Sequence, residues 1–253
     1  MESFTFSVSV EVCLETFLSV FPHPTKKNNS KLAKNVTHLV PMNFSLFSEQ
    51  VVKVKNLPLP GEGSHFKMEP EMRKQLRENG SMAKSKAKKA AVMAIFYPKK
   101  ENTYLLLILR KEYPGVHSNQ IGFPGGKVEK GDKDLMETAK RETFEEVGIL
   151  PNDITVIKPL SEVYIPPSNF LVQPYIGICS GIPSFKIDPV EVESLVEVSL
   201  NDFMDEANLM EQRLTTSYAN NILVPAFKLN GYTVWGATAM MLSEIKDLLK
   251  QVL

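Results

Sequence analysis

Three glutamates crowd one short stretch of the chain, at Glu142, Glu145 and Glu146. In a helix, positions i, i+3 and i+4 share one face, so the three carboxylates would lie together on one turn. Their mutual repulsion would cost roughly a few tenths of a kcal/mol per pair. Hard oxygen ligands on one face are typical of Mg²⁺ or Mn²⁺ sites that bridge to substrate phosphates. A solvated acidic face, paired with lysines and with Arg141, is the alternative interpretation.

The residues around the glutamates favour the metal site. The sequence Gly-Phe-Pro-Gly-Gly at 122–126 precedes the helix, and glycines let the backbone approach a metal ion or a phosphate closely. Arg141 can pair with a neighbouring carboxylate and orient it. The helix is predicted to start at Asp132 or Asp134, of which Asp134 with Glu137 resembles a capping box, and Gly148 predicts its C-terminal end. Four positions spaced by four residues are expected to face a sheet: Leu135, Ala139, Thr143 and Val147.

The stretch from Gly125 to Ile149 resembles the Nudix box, whose pattern is G-x5-E-x7-R-E-U-x-E-E-x-G-U, with U a bulky apolar residue. The positions that fit its second half are Arg141, Glu142, Thr143, Glu145, Glu146, Gly148 and Ile149, of which Thr143 is smaller and more polar than usual. Arg141 lies fifteen positions after Gly126, one more than the pattern gives, and Asp132 stands where the early glutamate is expected. The same lengthening is typical of the coenzyme A pyrophosphatase branch of this superfamily.

The residues upstream of the box, 105–126, resemble a second signature of that branch. The positions that fit it are Arg110, His117, Gln120, Phe123, Pro124, Gly125 and Gly126. Gly115 and Asn119 depart from it, since many members have arginine and glycine there. The segments 164–177 and 234–242 are also similar to parts of this branch. The resemblance therefore extends over most of the chain beyond its first 41 residues.

The resemblance implies a Nudix fold, an α/β architecture with a mixed β-sheet sandwiched between α-helices. It implies Mg²⁺ or Mn²⁺ held by Glu142, Glu145 and Glu146, with the backbone carbonyl of Gly126 as a further ligand and Arg141 positioning a glutamate. The implied reaction cleaves coenzyme A or its thioesters to 4′-phosphopantetheine and adenosine 3′,5′-bisphosphate. Two alternatives are the same chemistry on ADP-ribose or a dinucleotide, and a Nudix-like nucleotide-binding module without turnover. An unrelated acidic-helix protein is the third.

A substrate of the coenzyme A type needs cations for its 3′-phosphate. Candidates are Arg110, Lys111, His117 and the lysine run at 84–89, which is otherwise interpreted as a solvated linker. The full set of expected substrate-binding residues is Arg110, Lys111, His117, Gln120, Phe123 and Gly125. A general base is also required. It comes either from the box or from Glu191 or Glu193.

Composition limits the partners. The 29 basic and 29 acidic residues cancel, which argues against nucleic acid, and no apolar run is long enough to cross a bilayer. Cys13 and Cys179 form no CxxC motif, which fits a reducing cytoplasm. We therefore expect a small-molecule nucleotide of the coenzyme A type as partner, with no nucleic acid and no membrane. The oligomeric state is open.

Three segments are predicted. Residues 1–41 form an N-terminal extension whose alternating pattern at 4–12 predicts a strand, and which we expect to be poorly ordered or outside the functional core. Residues 42–89 hold two helices, around 44–55 and 70–79, that pack on the core. Residues 90–253 form the hydrolase domain. Its predicted elements are strands at 90–97, 103–110, 154–165, 170–180, 195–200 and 232–236 and a final helix with a stripe of Ala237, Met241, Ile245 and Leu248.

Overall fold

The computed structural model describes residues 42–78, 86–112, 119–215 and 220–253 of the 253-residue chain. The N-terminal extension with its predicted strand lies outside these ranges, and so does His117. Within them, Cys179 is a buried free thiol. None of the helices in the described ranges is long and apolar enough to cross a membrane.

The described residues form six α-helices and eleven strands. The α-helices are α1 Phe44–Val51, α2 Glu62–His65, α3 Glu71–Glu78, α4 Leu135–Val147, α5 Leu200–Met204 and α6 Gly236–Leu249. The strands are β1 Lys88–Lys99, β2 Asn102–Arg110, β3 Ile121–Gly122, β4 Gly125–Lys127, β5 Ile154–Pro159, β6 Val163–Ile165, β7 Phe170–Cys179, β8 Val192–Ser199, β9 Leu209–Leu214, β10 Ile222–Leu229 and β11 Tyr232–Trp235. Short 3₁₀ turns extend α1 and connect several of the other elements.

Strand β1 organises the main sheet, whose central order is β3-β2-β1-β7-β5. It pairs antiparallel with β2 through a tight turn at Lys100 and Glu101, both of which have positive φ. It pairs parallel with β7 and antiparallel with β4. Strands β6 and β8 join through β7 and β2, while β9, β10 and β11 form a separate antiparallel sheet. The main sheet is thus mixed.

Both faces of the main sheet are buried. Along β1, Ala94 and Phe96 belong to one hydrophobic cluster, and Met93 and Ile95 belong to another. Side chains alternate between the faces of a strand, so the two clusters lie on opposite sides of the sheet. Apolar residues of α1 and α6 fill the first cluster, and those of α4 fill the second. The predicted mixed sheet between helices is confirmed.

Several predicted elements form with changed limits. The helices predicted around 44–55 and 70–79 are α1 with its 3₁₀ extension and α3. Strand β1 starts at Lys88, inside the segment that the sequence assigns to helices. The single strand predicted at 154–165 is wrong: it is divided into β5 and β6, and the backbone N–H of Ser161 between them donates to the Glu244 carboxylate of α6 instead of to a strand. The β9–β10 hairpin was not predicted.

Candidate active site

Helix α4 is held at both ends by the residues that predict its limits. Asp134 accepts a hydrogen bond from the Glu137 amide at 2.8 Å, and Glu137 in turn accepts from the Lys133 amide at 2.7 Å. At the other end Gly148 adopts a left-handed conformation, with φ of 80°. The predicted inner face is buried, with Ala139, Thr143 and Val147 fully covered. Fixing this face fixes the direction in which the glutamates point.

The three glutamates differ in environment. Glu142 and Glu146 are buried, with 9% and 1% of their surface exposed, and both point toward β4. The side chain of Glu145 is 53% exposed. The predicted acidic face therefore consists of two buried carboxylates and one at the rim.

Glu146 carries an incompletely satisfied carboxylate. Its Oε2 accepts a hydrogen bond from the Gly125 amide at 2.8 Å. Its Oε1 is buried without a hydrogen-bond partner among the described residues, although NH1 of Arg110 lies 3.4 Å away. Burial raises the pKa of Glu146, and the negative charges of Glu142 and Glu191 raise it further. The positive charge of Arg110 and the hydrogen bond from the Gly125 amide oppose this increase, and the resulting pKa is about 7. The site concentrates negative charge that lacks a full counterpart.

The glycines of β4 are required by close contacts. Gly125 has φ of +146°, and a Cβ there would lie 2.3 Å from the carbonyl oxygen of Ala91. A Cβ at Gly126 would lie 2.5 Å from Oε2 of Glu142. The backbone of Gly126 therefore lies directly against the Glu142 carboxylate. The metal hypothesis requires this closeness, because both groups are expected to bind the same ion.

Arg141 connects the carboxylates to the loop before α4. Its NH1 donates to Glu142 Oε1 at 3.0 Å and to Glu145 Oε2 at 2.9 Å. Its Nε and NH2 donate to the two carboxylate oxygens of Asp132 at 2.9 and 3.0 Å, which holds the pKa of Asp132 far below its usual range. Asp132 was not among the predicted site residues. Its place at the early acidic position of the box pattern is the signal that could have identified it.

The fit of a metal ion can be judged from the donor chemistry. No group of three or more His, Cys, Asp or Glu side chains in the described ranges is arranged so that it could hold a metal ion. The carboxylates of Glu142 and Glu146 nevertheless offer hard oxygen donors. The buried, unpartnered Oε1 of Glu146 is the kind of atom that a cation would satisfy. The residues present therefore fit Mg²⁺ or Mn²⁺ by type and by uncompensated charge.

A cavity of about 520 Å³ adjoins Glu142 and Glu145, whereas Glu146 and Arg141 are not among its lining residues. The predicted site residues that line it are Arg110, Gln120, Phe123, Gly125, Gly126, Glu142 and Glu145. Lys111 does not line it and instead pairs with Glu193 on β8, whereas Glu191 does line it. The described lysines of the predicted basic run, at 86, 88 and 89, are exposed and lie outside the lining. His117 and Lys84 are outside the described ranges.

The remaining cavity walls come from elements that were not assigned to the site. Helix α3 and the residue before it contribute Pro70, Met72, Arg73 and Leu76. The connection between β6 and β7 contributes residues 165–168, and the start of α6 contributes residues 236–238. The last two lie in segments that resemble the coenzyme A pyrophosphatase branch, which was their available signal. Nothing in the sequence indicated that the predicted helix α3 contributes to the site.

The comparisons with known proteins all point to the same family. The NUDIX domain model matches residues 87–213, from the start of β1 into β9. The chain is 32% identical to Nudix hydrolase 15, mitochondrial, of Arabidopsis thaliana over 163 residues, which cover 62% of this chain and 57% of that protein. It is 32% identical to an uncharacterized Nudix hydrolase, NudL, of Pectobacterium atrosepticum over 147 residues, which cover 56% of this chain and 72% of the other.

A solved structure of a Nudix hydrolase from M. smegmatis is similar with a TM-score of 0.47 and 14% sequence identity, over 66% of this chain and 88% of that chain. The chain spans less than two thirds of the length of two Arabidopsis thaliana relatives, Nudix hydrolase 15, mitochondrial, and Nudix hydrolase 22, chloroplastic, with 57% covered in each case. The matched family span contains α4 with its glutamates, and α3 and α6 lie outside it.

Proposed function

The chain belongs to the NUDIX domain family, and from that premise we propose that it hydrolyses the pyrophosphate linkage of coenzyme A or its derivatives. The products would be 4′-phosphopantetheine and adenosine 3′,5′-bisphosphate. The observation that carries the proposal is the buried pair Glu142 and Glu146, whose charge is incompletely compensated beside Gly125 and Gly126 of β4, with Glu142 lining the cavity. A site built only for stability would not keep such a charge uncompensated.

Glu142, Glu145 and Glu146, with the carbonyl of Gly126, would hold Mg²⁺ or Mn²⁺. When bound, such an ion neutralises phosphate charge and lowers the pKa of a water molecule. The chain itself supplies the orientation of the carboxylates. Arg141 binds two of them and is in turn held by Asp132 through two parallel hydrogen bonds, so the ligand set is positioned from the loop before α4.

A base is needed to take the proton of the attacking water as the bond between phosphorus and the bridging oxygen breaks. Of the two acids outside the box, Glu191 is the better candidate. It lines the cavity and acts electrostatically on both Glu142 and Glu146, whereas Glu193 forms an ion pair with Lys111. We therefore assign Glu191 to positioning or deprotonating the water.

The choice of coenzyme A rests on sequence and on the shape of the site. The one-residue lengthening before Arg141 and the signature around Gln120 and Phe123 are both typical of that branch. The cavity volume of about 520 Å³ lies in the range of sites that enclose much of a large organic ligand. Its walls beyond the glutamates include Pro166, Pro167 and Trp235, which offer apolar contact to a long substrate.

A metal-supplemented substrate panel tests the proposal. The chain would be incubated with coenzyme A, ADP-ribose or a diadenosine polyphosphate, with Mg²⁺ or Mn²⁺ or with EDTA, and the products identified by mass. We expect 4′-phosphopantetheine from coenzyme A only when metal is present. Turnover of ADP-ribose or the dinucleotide without turnover of coenzyme A would overturn the substrate. An absence of turnover with every substrate would overturn the hydrolase itself.

A further inference from the structure

Arg73 is a cation of the cavity wall to which the proposed reaction gives no role. It lies in the first turn of α3, and its side chain is 15% exposed. Its NH1 donates a hydrogen bond to the carbonyl oxygen of Tyr164 in β6. The guanidinium therefore lies beside the connection from Ile165 to Ser168, which lines the same cavity.

The charge of Arg73 is incompletely neutralised. Its Nε is buried without a hydrogen-bond partner among the described residues and lies 3.3 Å from Oε1 of Glu69. Glu69 is bound more fully by Arg77, whose Nε and NH2 donate to it at distances from 3.0 to 3.4 Å. Two cations thus share one buried carboxylate. Burial lowers the pKa of Arg73 despite Glu69, whereas the hydrogen bonds to Glu69 raise the pKa of Arg77.

The other cations of the cavity are placed for the scissile linkage. Besides Arg73, the described cationic residues that line it are Arg110 and Lys127. Arg110 donates to the Gly125 carbonyl at 2.8 Å and approaches Glu146, and Lys127 directly follows Gly126. Both residues therefore lie beside Gly125 and Gly126 of β4, where the pyrophosphate would approach the carboxylates. Arg73 enters the cavity from a different element.

We propose that Arg73 binds a phosphomonoester of the substrate that is separate from the scissile pyrophosphate, such as a 3′-phosphate on the ribose. This inference rests on the proposed function, because it concerns how the same site selects its substrate. A guanidinium presents a planar set of donors that matches phosphate oxygens, and a dianion would supply the missing counter-charge. Arg110 and Lys111, the cations that the sequence suggested for this phosphate, are engaged by Glu146 and Glu193.

A binding experiment tests Arg73 without requiring turnover. Titration calorimetry would measure adenosine 3′,5′-bisphosphate and adenosine 5′-monophosphate binding to the wild type, R73Q and R77Q. Because a hydrogen bond between two charged groups is stronger than a neutral one, the wild type should prefer the bisphosphate by roughly tenfold to a hundredfold. R73Q should lose this preference while its affinity for the monophosphate is unchanged. R77Q is the matched control, because it removes the other cation of Glu69 outside the cavity, and it should keep the preference.

A kinetic experiment addresses the substrate itself. The KM values of coenzyme A and 3′-dephospho-coenzyme A would be compared in the wild type, R73Q and R73K. We expect R73Q to raise KM for coenzyme A only, and R73K to restore part of the difference because it keeps the charge without the planar fork. Urea unfolding of each variant would show that the tested protein is folded.

Three results would overturn the assignment of Arg73. They are a wild type that does not distinguish the two nucleotides, an R73Q variant that keeps the distinction, and an R73Q variant that weakens both nucleotides equally. The proposed function fails separately. If coenzyme A is not cleaved but the bisphosphate preference depends on Arg73, the phosphate site stands without that substrate.

Discussion

Two buried glutamates lie on opposite faces of the main sheet, Glu146 on α4 and Glu244 on α6. They are 1% and 0% exposed, so burial alone does not distinguish them. Their hydrogen-bond partners do. Oε1 of Glu146 has no hydrogen-bond partner among the described residues, whereas both carboxylate oxygens of Glu244 accept hydrogen bonds.

Glu244 is satisfied by residues from distant parts of the chain. His65 Nε2 donates at 3.0 Å, Ser161 donates through its hydroxyl at 2.7 Å and through its amide, and the Gly61 amide donates at 3.2 Å. Burial alone would raise the pKa of Glu244, but these donors outweigh it and hold the pKa below its ordinary value. The carboxylate therefore connects α2 and the β5–β6 link to α6.

Glu146 shows the opposite balance. Burial outweighs the single amide donor of Gly125 and the looser ion pair with Arg110, so its pKa is raised to about 7. The comparison teaches that a buried carboxylate stabilises the fold only when its acceptor positions are filled by the fold itself. Where they are not filled, the remaining charge is available to a ligand.

The largest expected effect separates the two residues by activity. The E146Q substitution removes a proposed metal ligand. A loss of several kcal/mol of transition-state charge stabilisation would lower kcat/KM by about a thousandfold. The free energy of unfolding should be unchanged or higher, because a costly buried charge is removed. Coenzyme A turnover with Mg²⁺ and urea unfolding would be measured on the same preparation. Wild-type turnover in E146Q would contradict the functional reading of this carboxylate.

The second effect is on stability. In E244Q an amide replaces a fully bound carboxylate, so its NH₂ group faces donors and buried polar groups lose their partner. We expect the free energy of unfolding to fall by about 2–4 kcal/mol in urea titrations near neutral pH. Turnover per folded molecule should stay near that of the wild type, since Glu244 lies on α6 and binds His65, Ser161 and Gly61, none of which belongs to the candidate site. A stable E244Q with lost turnover would reverse the two roles.

The third effect is a difference in the pH dependence of stability, whose slope a single carboxylate changes by at most about 1.4 kcal/mol per pH unit. The folded-state pKa of Glu146 is raised from 4.5 to about 7, so its proton stabilises the fold below pH 4.5 and that stabilisation is lost as the pH rises to about 7. Glu244 has a lowered pKa, so its stabilisation is present above the unfolded value and lost as the pH falls through the folded one.

Urea midpoints of the metal-free protein between about pH 4 and about pH 8 would measure both contributions. E146Q should lose the decline on the neutral side, and E244Q should approach the wild type only in acid. Equal slopes in the wild type and E146Q across this range would show that Glu146 titrates normally.

Local patterns were enough to predict α4. Its N-cap at Asp134, its end at Gly148 and its buried face all follow from interactions between residues within a few positions of one another. The strands β1 and β2 were also predicted, because strands buried on both faces form continuous apolar runs. The same patterns gave no sign of the β9–β10 hairpin, whose strand β9 alternates between half-buried and exposed residues and lacks an apolar run.

For the candidate site, the sequence predicted that the acidic residues share one helix face, but it did not predict their different environments. Spacing placed Glu142, Glu145 and Glu146 on one turn, but the burial of only two of them depends on β4 packing against α4. Arg110 and Lys111 looked equivalent in sequence, yet one lies against Glu146 and the other pairs with Glu193. Neighbouring residues of an extended chain point to opposite sides, and the elements that meet each side are decided only by the fold.

The contrast between the two buried glutamates has the same origin. Interactions between residues a few positions apart are sufficient to predict the helix that carries Glu146, its limits and the chemistry that its glutamates suggest. The partners of Glu244 lie 83 to 183 positions away, and the carbonyl bound by Arg73 lies 91 positions away. Hydrogen bonds and desolvation act over a few ångströms in space, so only the folded chain decides which charges are satisfied and which are left for a ligand.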